Sequence, residues 1–242
     1  MKAMIFAAGL GTRLKPLTND KPKALVEVNG ITMLERNIKN LIYYGFDEII
    51  INVHHFADKI ITFLKENNNF GIKIAISHEN DYLLDTGGGL KNAAWFFNTN
   101  EAFLVHNVDI ISNINLLDLY NNHINNKAMA TLAVKKRKSS RYLLFNNNNE
   151  LCGWENIKTK EKIISKNNTT TKQLAFSGIQ IINPQIFNFL KQNGAFSIID
   201  IYLNLSKNNK IISYEHDSNF WFDIGNIKKI KNAEQFLKIK NN

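Results

Sequence analysis

The chain opens with the stretch MIFAAGLGTRLKPLT over residues 4–18, and the stretch KPKAL follows over residues 21–25. An apolar run of strand length leads directly into a glycine-rich turn, and Arg13 and Lys23 come just beyond it. Glycines let backbone N–H groups approach an anion closely, and two fixed cations can neutralise the charge of that anion. The stretch is therefore suited to binding a nucleoside triphosphate at the end of a buried strand.

Two familiar glycine motifs do not fit this stretch. A GxGxxG motif would need a glycine where Leu14 stands, so a dinucleotide-binding fold is not indicated. No Gly-Lys-Ser/Thr sequence follows, which excludes a Walker A loop. Taken alone, the stretch could also be a glycine turn with two solvated surface cations.

Strand and helix patterns alternate outward from this stretch through the first half of the chain. Strands are predicted over residues 1–8, 47–53, 72–77 and 102–105, and helices over residues 33–44, 57–66, 88–97 and 115–123. This alternation predicts an α/β fold with a parallel sheet and helices on both of its faces. Ligands of such sheets bind at the carboxyl ends of the strands, where the glycine turn and Asp109 both lie.

The second half of the chain is less regular. Strands are predicted over residues 128–134, 142–145, 174–182 and 210–214, and helices over residues 184–192, 198–205 and 227–238. The polar segments over residues 135–141 and 155–172 are predicted to be loops or hairpins. Because no internal repeat and no Pro/Ser-rich linker interrupts the chain, we expect a single domain over residues 1–242.

Composition narrows the class of protein. The 242 residues are 44% hydrophobic, without the run of about eighteen apolar residues that a transmembrane helix needs. The first residues carry no secretory leader, and the single Cys152 cannot form an internal disulfide, so we expect a cytoplasmic protein without a membrane partner.

The formal net charge of +9 could indicate binding to a polyanion such as nucleic acid. However, the lysines are scattered and asparagine is abundant, with runs over residues 67–69 and 146–149. No helix-turn-helix, zinc-finger or RNA-binding sequence is present. We therefore interpret the charge as biased composition and expect no nucleic-acid partner.

Two aspartates are candidate metal ligands. Asp109 ends the sequence HNVD directly after a predicted buried strand, and Asp223 lies in WFDIG ahead of the last predicted helix. Mg²⁺ prefers oxygen ligands and is usually held by one or two carboxylates together with substrate phosphates. Either aspartate alone could instead be a helix N-cap or a turn residue.

Considered together, these elements resemble the sugar-1-phosphate nucleotidyltransferases. The resemblance rests on the opening stretch and on NVH (52–54), LDTGGG (84–89), HNVD (106–109), FSGI (176–179) and FDIG (222–225), so it covers nearly the whole chain. It implies a three-layer αβα, Rossmann-like nucleotidyltransferase fold of the GT-A-like type with a mostly parallel central sheet. One departure is Val108, which stands where this family usually has a glycine and could narrow the pocket or alter the turn.

The resemblance also implies roles for individual residues. Arg13 would neutralise the β- and γ-phosphates and the leaving pyrophosphate, and Lys23 would bridge the α-phosphate and the sugar phosphate. Asp109 and Asp223 would hold Mg²⁺, with Arg13, Lys23 and Asp109 as the catalytic residues. The remaining implied contacts are the loop against the triphosphate (Ala8, Gly9, Leu10, Gly11 and Thr12), the nucleobase (Gly87 and Gly88) and the sugar (Asn107 and Gly178).

The implied reaction is attack by a sugar 1-phosphate on the α-phosphorus of a nucleoside triphosphate, with release of pyrophosphate. The second pKa of a phosphate monoester is about 6, so the nucleophile is already anionic and needs no general base. The chain most resembles the small N-acetylmuramate-1-phosphate uridylyltransferases of cell-wall recycling. Mannose-1-phosphate or heptose-1-phosphate guanylyl transfer, or a catalytically silent nucleotide-sugar sensor, are the alternatives. Similar proteins are often dimers, so a homodimer is also considered.

Overall fold

The computed structural model describes residues 1–167 and 170–240. Residues 168 and 169 of the predicted loop over 155–172, and residues 241 and 242, lie outside the described residues. The strands are β1 (Lys2–Phe6), β2 (Glu27–Val28), β3 (Ile31–Thr32), β4 (Glu48–Val53), β5 (Lys73–His78), β6 (Phe103–Asn107), β7 (Ile110–Ser112), β8 (Ala130–Lys135), β9 (Arg141–Phe145), β10 (Leu151–Asn156), β11 (Glu161–Ile164), β12 (Lys172–Ile182), β13 (Ile211–Glu215) and β14 (Trp221–Asp223). The α-helices are α1 (Met33–Tyr43), α2 (Ala57–Glu66), α3 (Asp85–Asn92), α4 (Leu116–Asn126), α5 (Ile198–Leu205) and α6 (Ile227–Lys240).

The described residues form two compact units. The first unit comprises residues 1–83, 106–113 and 220–242, and the second comprises residues 84–105 and 114–219. The expectation of a single domain stays a prediction.

A parallel sheet lies at the centre of the first unit. Strand β4 pairs in parallel with β1 on one side and with β5 on the other, with Ile50 between Met4 and Ala75. The isoleucines of β4 are fully buried, as the near-continuous apolar run of a parallel strand predicts. This arrangement confirms the predicted α/β class and its parallel strands.

The second unit contains a mixed sheet. Strand β8 is antiparallel to β12 and parallel to β13, and β9 is antiparallel to both β12 and β10. Strands β10 and β11 form an antiparallel hairpin in the segment that was predicted to be loop or hairpin. Helix α4 packs on β8 and β12, and helix α5 packs on α3 and β10.

Two predicted helices differ from the structure. The helix predicted over residues 88–97 begins earlier, as α3 at Asp85, and is followed by a 3-10 helix over Ala94–Phe96. The helix predicted over residues 184–192 is a 3-10 helix that ends at Phe189, because Leu190 leaves the helical backbone range and buries its side chain. Glycine-rich α3 is helical against the propensity of its residues, so its packing must supply the stability.

The single cysteine is inaccessible, since Cys152 on β10 is fully buried and its thiol contacts the Glu150 carbonyl at 3.3 Å. Across the described parts of the chain, no helix is both long and apolar enough to cross a membrane.

Candidate active site

The glycine-rich loop begins at the carboxyl end of β1. The backbone N–H of Ala7 donates to Oδ1 of Asn52 at 2.7 Å, and Nδ2 of Asn52 donates to Oε1 of Glu79 at 2.6 Å. Asn52 and Glu79 are both buried, so this network fixes the point at which the chain leaves the sheet.

The backbone conformation and the close neighbours of Gly11 both favour a glycine at this position. Its φ is +64°, a left-handed conformation that costs other residues about 1–2 kcal/mol. A Cβ there would lie 3.1 Å from Cβ of Lys23 and 3.1 Å from Cγ2 of Thr18. The Thr18 hydroxyl donates to the Gly11 carbonyl at 2.9 Å, which closes the loop.

Gly9 is different, because nothing in the described protein requires it to be a glycine. A Cβ on Gly9 would meet no atom within 4 Å, and its backbone is not in the left-handed region. Gly9, Leu10, Thr12 and Arg13 are exposed, whereas Ala8 is buried. An open backbone without side chains is what the close approach of a ligand needs.

Lys23 and Asp109 meet in the first unit although 86 residues separate them along the chain. The ammonium of Lys23 pairs with Oδ2 of Asp109, and the two side chains are 13% and 20% exposed. Lys23 follows Pro22 in a 3-10 helix over Lys23–Leu25, and Asp109 follows β6. The structure thus brings together two of the residues predicted to be catalytic.

The turn that carries Asp109 is held from two sides. The N–H of Val108 donates to the Phe6 carbonyl at 3.1 Å, and Nδ2 of Asn37 on α1 donates to the Val108 carbonyl at 2.9 Å. Val108 is buried and its φ is not left-handed, so the turn accepts a valine in place of the family's usual glycine.

Asp223 lies beside Asp109 on a neighbouring strand. Strand β14 is antiparallel to β7, and the N–H of Ile224 donates to the Asp109 carbonyl at 2.8 Å. Nζ of Lys229, on α6, lies 2.6 Å from Oδ2 of Asp223.

The guanidinium of Arg13 lies close to Gly225, which follows Asp223 by two residues. A Cβ on Gly225 would lie 3.3 Å from Nη2 of Arg13 and 3.0 Å from Oδ1 of Asp223. The absence of a side chain at Gly225 therefore lets the guanidinium and the carboxylate both approach this turn. Arg13, Lys23, Asp109 and Asp223 all belong to the first unit.

The donor set fits a magnesium ion. Asp109 and Asp223 are partly exposed carboxylates whose backbones are hydrogen-bonded neighbours, and each is neutralised by a lysine. Among the described residues no cluster of three or more His, Cys, Asp or Glu side chains is placed to hold a metal. Two carboxylates suit Mg²⁺, which usually completes its coordination with waters and substrate phosphates.

His106 and Asn107 precede the metal turn. His106 is buried, and desolvation lowers the pKa of its imidazole to about 4. Its Nδ1 lies 2.8 Å from the Asn107 carbonyl, so the neutral ring donates its proton there. Asn107, predicted to contact the sugar, is partly exposed at the end of β6.

Gly87 and Gly88, predicted to contact the nucleobase, lie in the second unit in the first turn of α3. The N–H of Gly87 donates to the Phe196 carbonyl at 2.8 Å, and a Cβ on Gly87 would collide with the Phe196 ring. A Cβ on Gly88 would collide with the Gly194 carbonyl. Packing within the second unit thus gives its own reason for both glycines, and their contact with a base stays a prediction.

Gly178, predicted to contact the sugar, lies at an irregularity in β12 between Phe176 and Gln180 and has a φ of +74°. The preceding Ser177 is fully buried, and its Oγ lies 2.7 Å from Nε2 of buried His216. Burial, together with the charge of Lys135, lowers the pKa of His216 to about 4, so this ring is neutral. The pair holds the Gly178 turn in place.

Several supporting residues were not predicted. Lys229 neutralises Asp223, Asn37 holds the Asp109 turn, and Thr18 closes the loop at Gly11. Their only signals in the sequence are weak: Lys229 follows Asp223 by six residues, and Asn37 is a polar residue on the apolar face of a predicted helix.

An exposed glycine-rich turn, two cations and two aspartates belong to one unit, an arrangement that suits an anionic phosphate ligand. Residues 2–240 match the family model described as nucleotidyl transferase, and the chain belongs to this family. The sequence therefore predicted the family correctly.

The chain is similar to several curated proteins. It is 42% identical over 111 residues to an N-acetylmuramate alpha-1-phosphate uridylyltransferase of Caulobacter vibrioides, covering 45% of this chain and 46% of the relative. It is 26% identical to the protein of the same name from Neisseria meningitidis, over 97% of both chains. It is 28% identical to the catalytic subunit beta of a mannose-1-phosphate guanylyltransferase of Dictyostelium discoideum, over 94% of this chain and 62% of the relative.

The fold is shared with solved structures. A UDP-glucose pyrophosphorylase solved with UDP-glucose superposes with a TM-score of 0.78 at 17% identity, covering 99% of this chain and 98% of the other. The protein therefore has the mixed α/β, GT-A-like fold that was predicted.

Proposed function

We propose that this protein transfers a nucleoside monophosphate from a nucleoside triphosphate to a sugar 1-phosphate, and that UTP and N-acetylmuramate 1-phosphate are its substrates. The observation that carries the proposal is the assembly of Arg13, Lys23, Asp109 and Asp223 around one exposed glycine loop. Such an arrangement of fixed charges suits phosphoryl chemistry, where catalysis is mostly positioning and neutralisation of charge.

In the proposed reaction, an oxygen of the sugar 1-phosphate attacks the α-phosphorus of the triphosphate in line with the leaving group. A new P–O bond forms, the bond to the β-phosphate oxygen breaks, and pyrophosphate departs with the electron pair. The nucleophile is anionic near neutral pH because its second pKa is about 6. No side chain therefore has to remove a proton.

Each residue of the site has a role in this reaction. The exposed backbone at Gly9 and Leu10 lies against the triphosphate, and Arg13 neutralises charge that develops on pyrophosphate. Lys23 moves from Asp109 to the α-phosphate and the incoming sugar phosphate, exchanging one anionic partner for another. Asp109 and Asp223 would hold a magnesium ion, which when bound supplies further neutralisation of the phosphates.

Support for the choice of substrates comes from the relatives. The two uridylyltransferases act, by their names, on N-acetylmuramate 1-phosphate, and one of them matches this chain over 97% of both chains. Guanylyl transfer to mannose 1-phosphate is the second candidate because a relative of that name matches 94% of this chain.

The test is pyrophosphate release over a grid of UTP, GTP, CTP, dTTP and ATP against several sugar 1-phosphates, with Mg²⁺. We expect UTP with N-acetylmuramate 1-phosphate to be the best pair. Asp109→Asn should lower kcat/KM at least about 100-fold, since it removes one of the two carboxylates proposed to hold Mg²⁺. Exposed Asp58→Asn on α2 is the matched control and should leave kcat/KM unchanged.

Near-normal turnover by Asp109→Asn would contradict the assigned role of that carboxylate. A grid without any turnover, from a folded protein that still binds a nucleotide, would instead identify a nucleotide-sugar sensor.

A further inference from the structure

Lys229 neutralises one of the two aspartates, yet the proposed reaction gives this lysine no task. Its Nζ lies 2.6 Å from Oδ2 of Asp223. Across residues 1–167 and 170–240, the Asp223 carboxylate has no other ion pair and no other hydrogen-bond partner. The lysine therefore occupies an oxygen of a carboxylate that is also proposed to bind a metal ion.

The place of Lys229 in α6 is not one that a helix favours for a cation. Helix α6 begins at Ile227, so Lys229 lies in the first turn, where its N–H donates to Oδ1 of Asn226 at 3.0 Å. The N-terminus of a helix carries a partial positive charge, which favours acidic side chains and disfavours basic ones. The pairing with Asp223 offsets this repulsion, so the aspartate rather than the helix gives the reason for a lysine at this position.

The neighbouring lysines of α6 have different surroundings. Lys228 and Lys231 are exposed, and neither makes an ion pair or a side-chain hydrogen bond in the described part of the chain. Lys229 is partly buried and is the lysine of this turn that contacts the carboxylate. The contrast indicates a specific contact instead of a general basic surface.

The backbone at Asp223 is fixed, whereas the lysine side chain can move. Strand β14 pairs with β7, and the N–H of Ile224 donates to the Asp109 carbonyl at 2.8 Å. The Lys229 side chain is 43% exposed, compared with 13% for Lys23 at the other aspartate. Because a lysine has a flexible four-carbon stem, Lys229 can leave the carboxylate for solvent without a change in the backbone.

A divalent cation and the Lys229 ammonium compete for Asp223. Both bind a carboxylate oxygen, and charges of +1 and +2 at such short range repel each other. Salt screens this repulsion only in part, because the two cations would be closer together than a Debye length. A metal ion at Asp223 thus requires the lysine to leave.

We propose that Lys229 is a positioning residue that holds the Asp223 carboxylate in place of the metal ion, and that a divalent cation binds at Asp223 by displacing it. This inference rests on the proposed function, in which Asp223 is a metal ligand, and it adds the residue that sets the affinity of the site for the free ion. Lys229 keeps the carboxylate oriented before the metal binds and keeps the binding of free Mg²⁺ weak.

The experiment measures the Kd of the full chain for Mn²⁺ alone, without nucleotide or sugar, from the electron paramagnetic resonance signal of free hydrated Mn²⁺. We expect Lys229→Gln to bind Mn²⁺ roughly three- to tenfold more tightly than the wild type, because it removes a competing positive charge. Lys229→Arg keeps that charge and should stay within about twofold of the wild type. Adding Asp223→Asn to Lys229→Gln should abolish the gain, because the carboxylate that binds the metal is then missing.

Lys228→Gln is the matched control, since it removes the same charge from the adjacent position of the helix but from a lysine without an ion pair. It should leave the Kd for Mn²⁺ within about twofold of the wild type, because an exposed charge without a contact to the carboxylate is screened by salt.

Unchanged or weaker Mn²⁺ binding by Lys229→Gln, an equal gain in Lys228→Gln, or a gain that survives Asp223→Asn would overturn the inference while leaving nucleotidyl transfer intact. Unmeasurable Mn²⁺ binding in the wild type and in every variant would overturn it as well, and would also contradict the metal-binding role of Asp223 in the proposed function.

Discussion

Gly9 and Gly11 are two residues apart in the same loop, yet different constraints act on them. Gly11 has a left-handed backbone conformation, and a Cβ there would lie close to Lys23 and Thr18. A Cβ on Gly9 would meet no atom within 4 Å. The fold therefore accounts for the glycine at position 11, and the approach of a ligand is our proposed reason for the glycine at position 9.

Alanine substitutions separate the two constraints. Gly11→Ala should lower the free energy of unfolding by about 1–2 kcal/mol, because it forces a left-handed alanine into contact with its neighbours. Gly9→Ala should leave stability unchanged or raise it by up to about 1 kcal/mol, since alanine restricts the unfolded chain. It should nevertheless lower kcat/KM at least about tenfold. Urea denaturation and pyrophosphate release measure the two effects, and full activity of Gly9→Ala would show that no ligand approaches there.

Helix α1 contacts the turn that carries Asp109. Asn37 is buried on this helix and donates to the carbonyls of Met33 and Val108, so the helix carries a polar contact directly to the Asp109 turn. Thr32 caps the same helix, accepting from the Glu35 N–H at 3.1 Å.

Replacing Asn37 tests whether the helix positions the turn. Asn37→Leu leaves the buried Val108 carbonyl without its donor, which costs about 1–3 kcal/mol of unfolding free energy. We expect kcat/KM to fall together with stability because the Asp109 turn loses one of its backbone anchors. Lys39→Ala on the same helix removes only an exposed pair with Glu35 and should cost about 0.5 kcal/mol or less. Unchanged turnover by folded Asn37→Leu would show that the contacts of the turn with Phe6 and Ile224 are enough.

The elements whose bounds were predicted most accurately from the sequence are those with a strong periodicity of apolar residues. Helices α2 and α5 begin and end where their apolar periodicity begins and ends, over Ala57–Glu66 and Ile198–Leu205. Strand β11 had no such signal, because all four of its residues are exposed and no buried face imposes alternation. Short strands such as β7 and β14 form only because they pair with each other across the fold.

The site was predictable only in part, for a related reason. Arg13, Lys23, Asp109 and Asp223 stand in recognisable motifs, so each could be singled out from the sequence. Their partners could not, since the pairing of Lys23 with Asp109 and of Lys229 with Asp223 depends on three-dimensional proximity.

Across the whole molecule, buried histidines link stability to pH. His123 on α4 lies 3.0 Å from the Thr131 hydroxyl, and burial lowers the pKa of its imidazole to about 4. Burial lowers the pKa of His216 as well. Between about pH 6.5 and pH 4, the unfolded chain binds protons at these positions that the folded chain does not.

The free energy of unfolding should therefore fall as the pH drops from about 6.5 towards 4. Each such histidine contributes up to about 1.4 kcal/mol per pH unit within that window. Urea denaturation at several pH values measures the slope, and His123→Gln should make the slope shallower because it removes one of these groups. An identical slope in His123→Gln would show that His123 does not contribute to the acid sensitivity.

The two lysine–aspartate pairs have a consequence for which anions the site can hold. The charges of Lys23 and Asp109 cancel, as do those of Lys229 and Asp223, so both lysines already have an anionic partner. An anion that binds to either lysine must displace the aspartate carboxylate paired with it, which lowers the affinity for that anion. A lone orthophosphate would offer Lys23 little beyond what the aspartate provides, whereas a triphosphate, in the proposed reaction, would also contact the loop backbone and Arg13. We therefore expect the two ion pairs to disfavour small inorganic anions relative to a triphosphate.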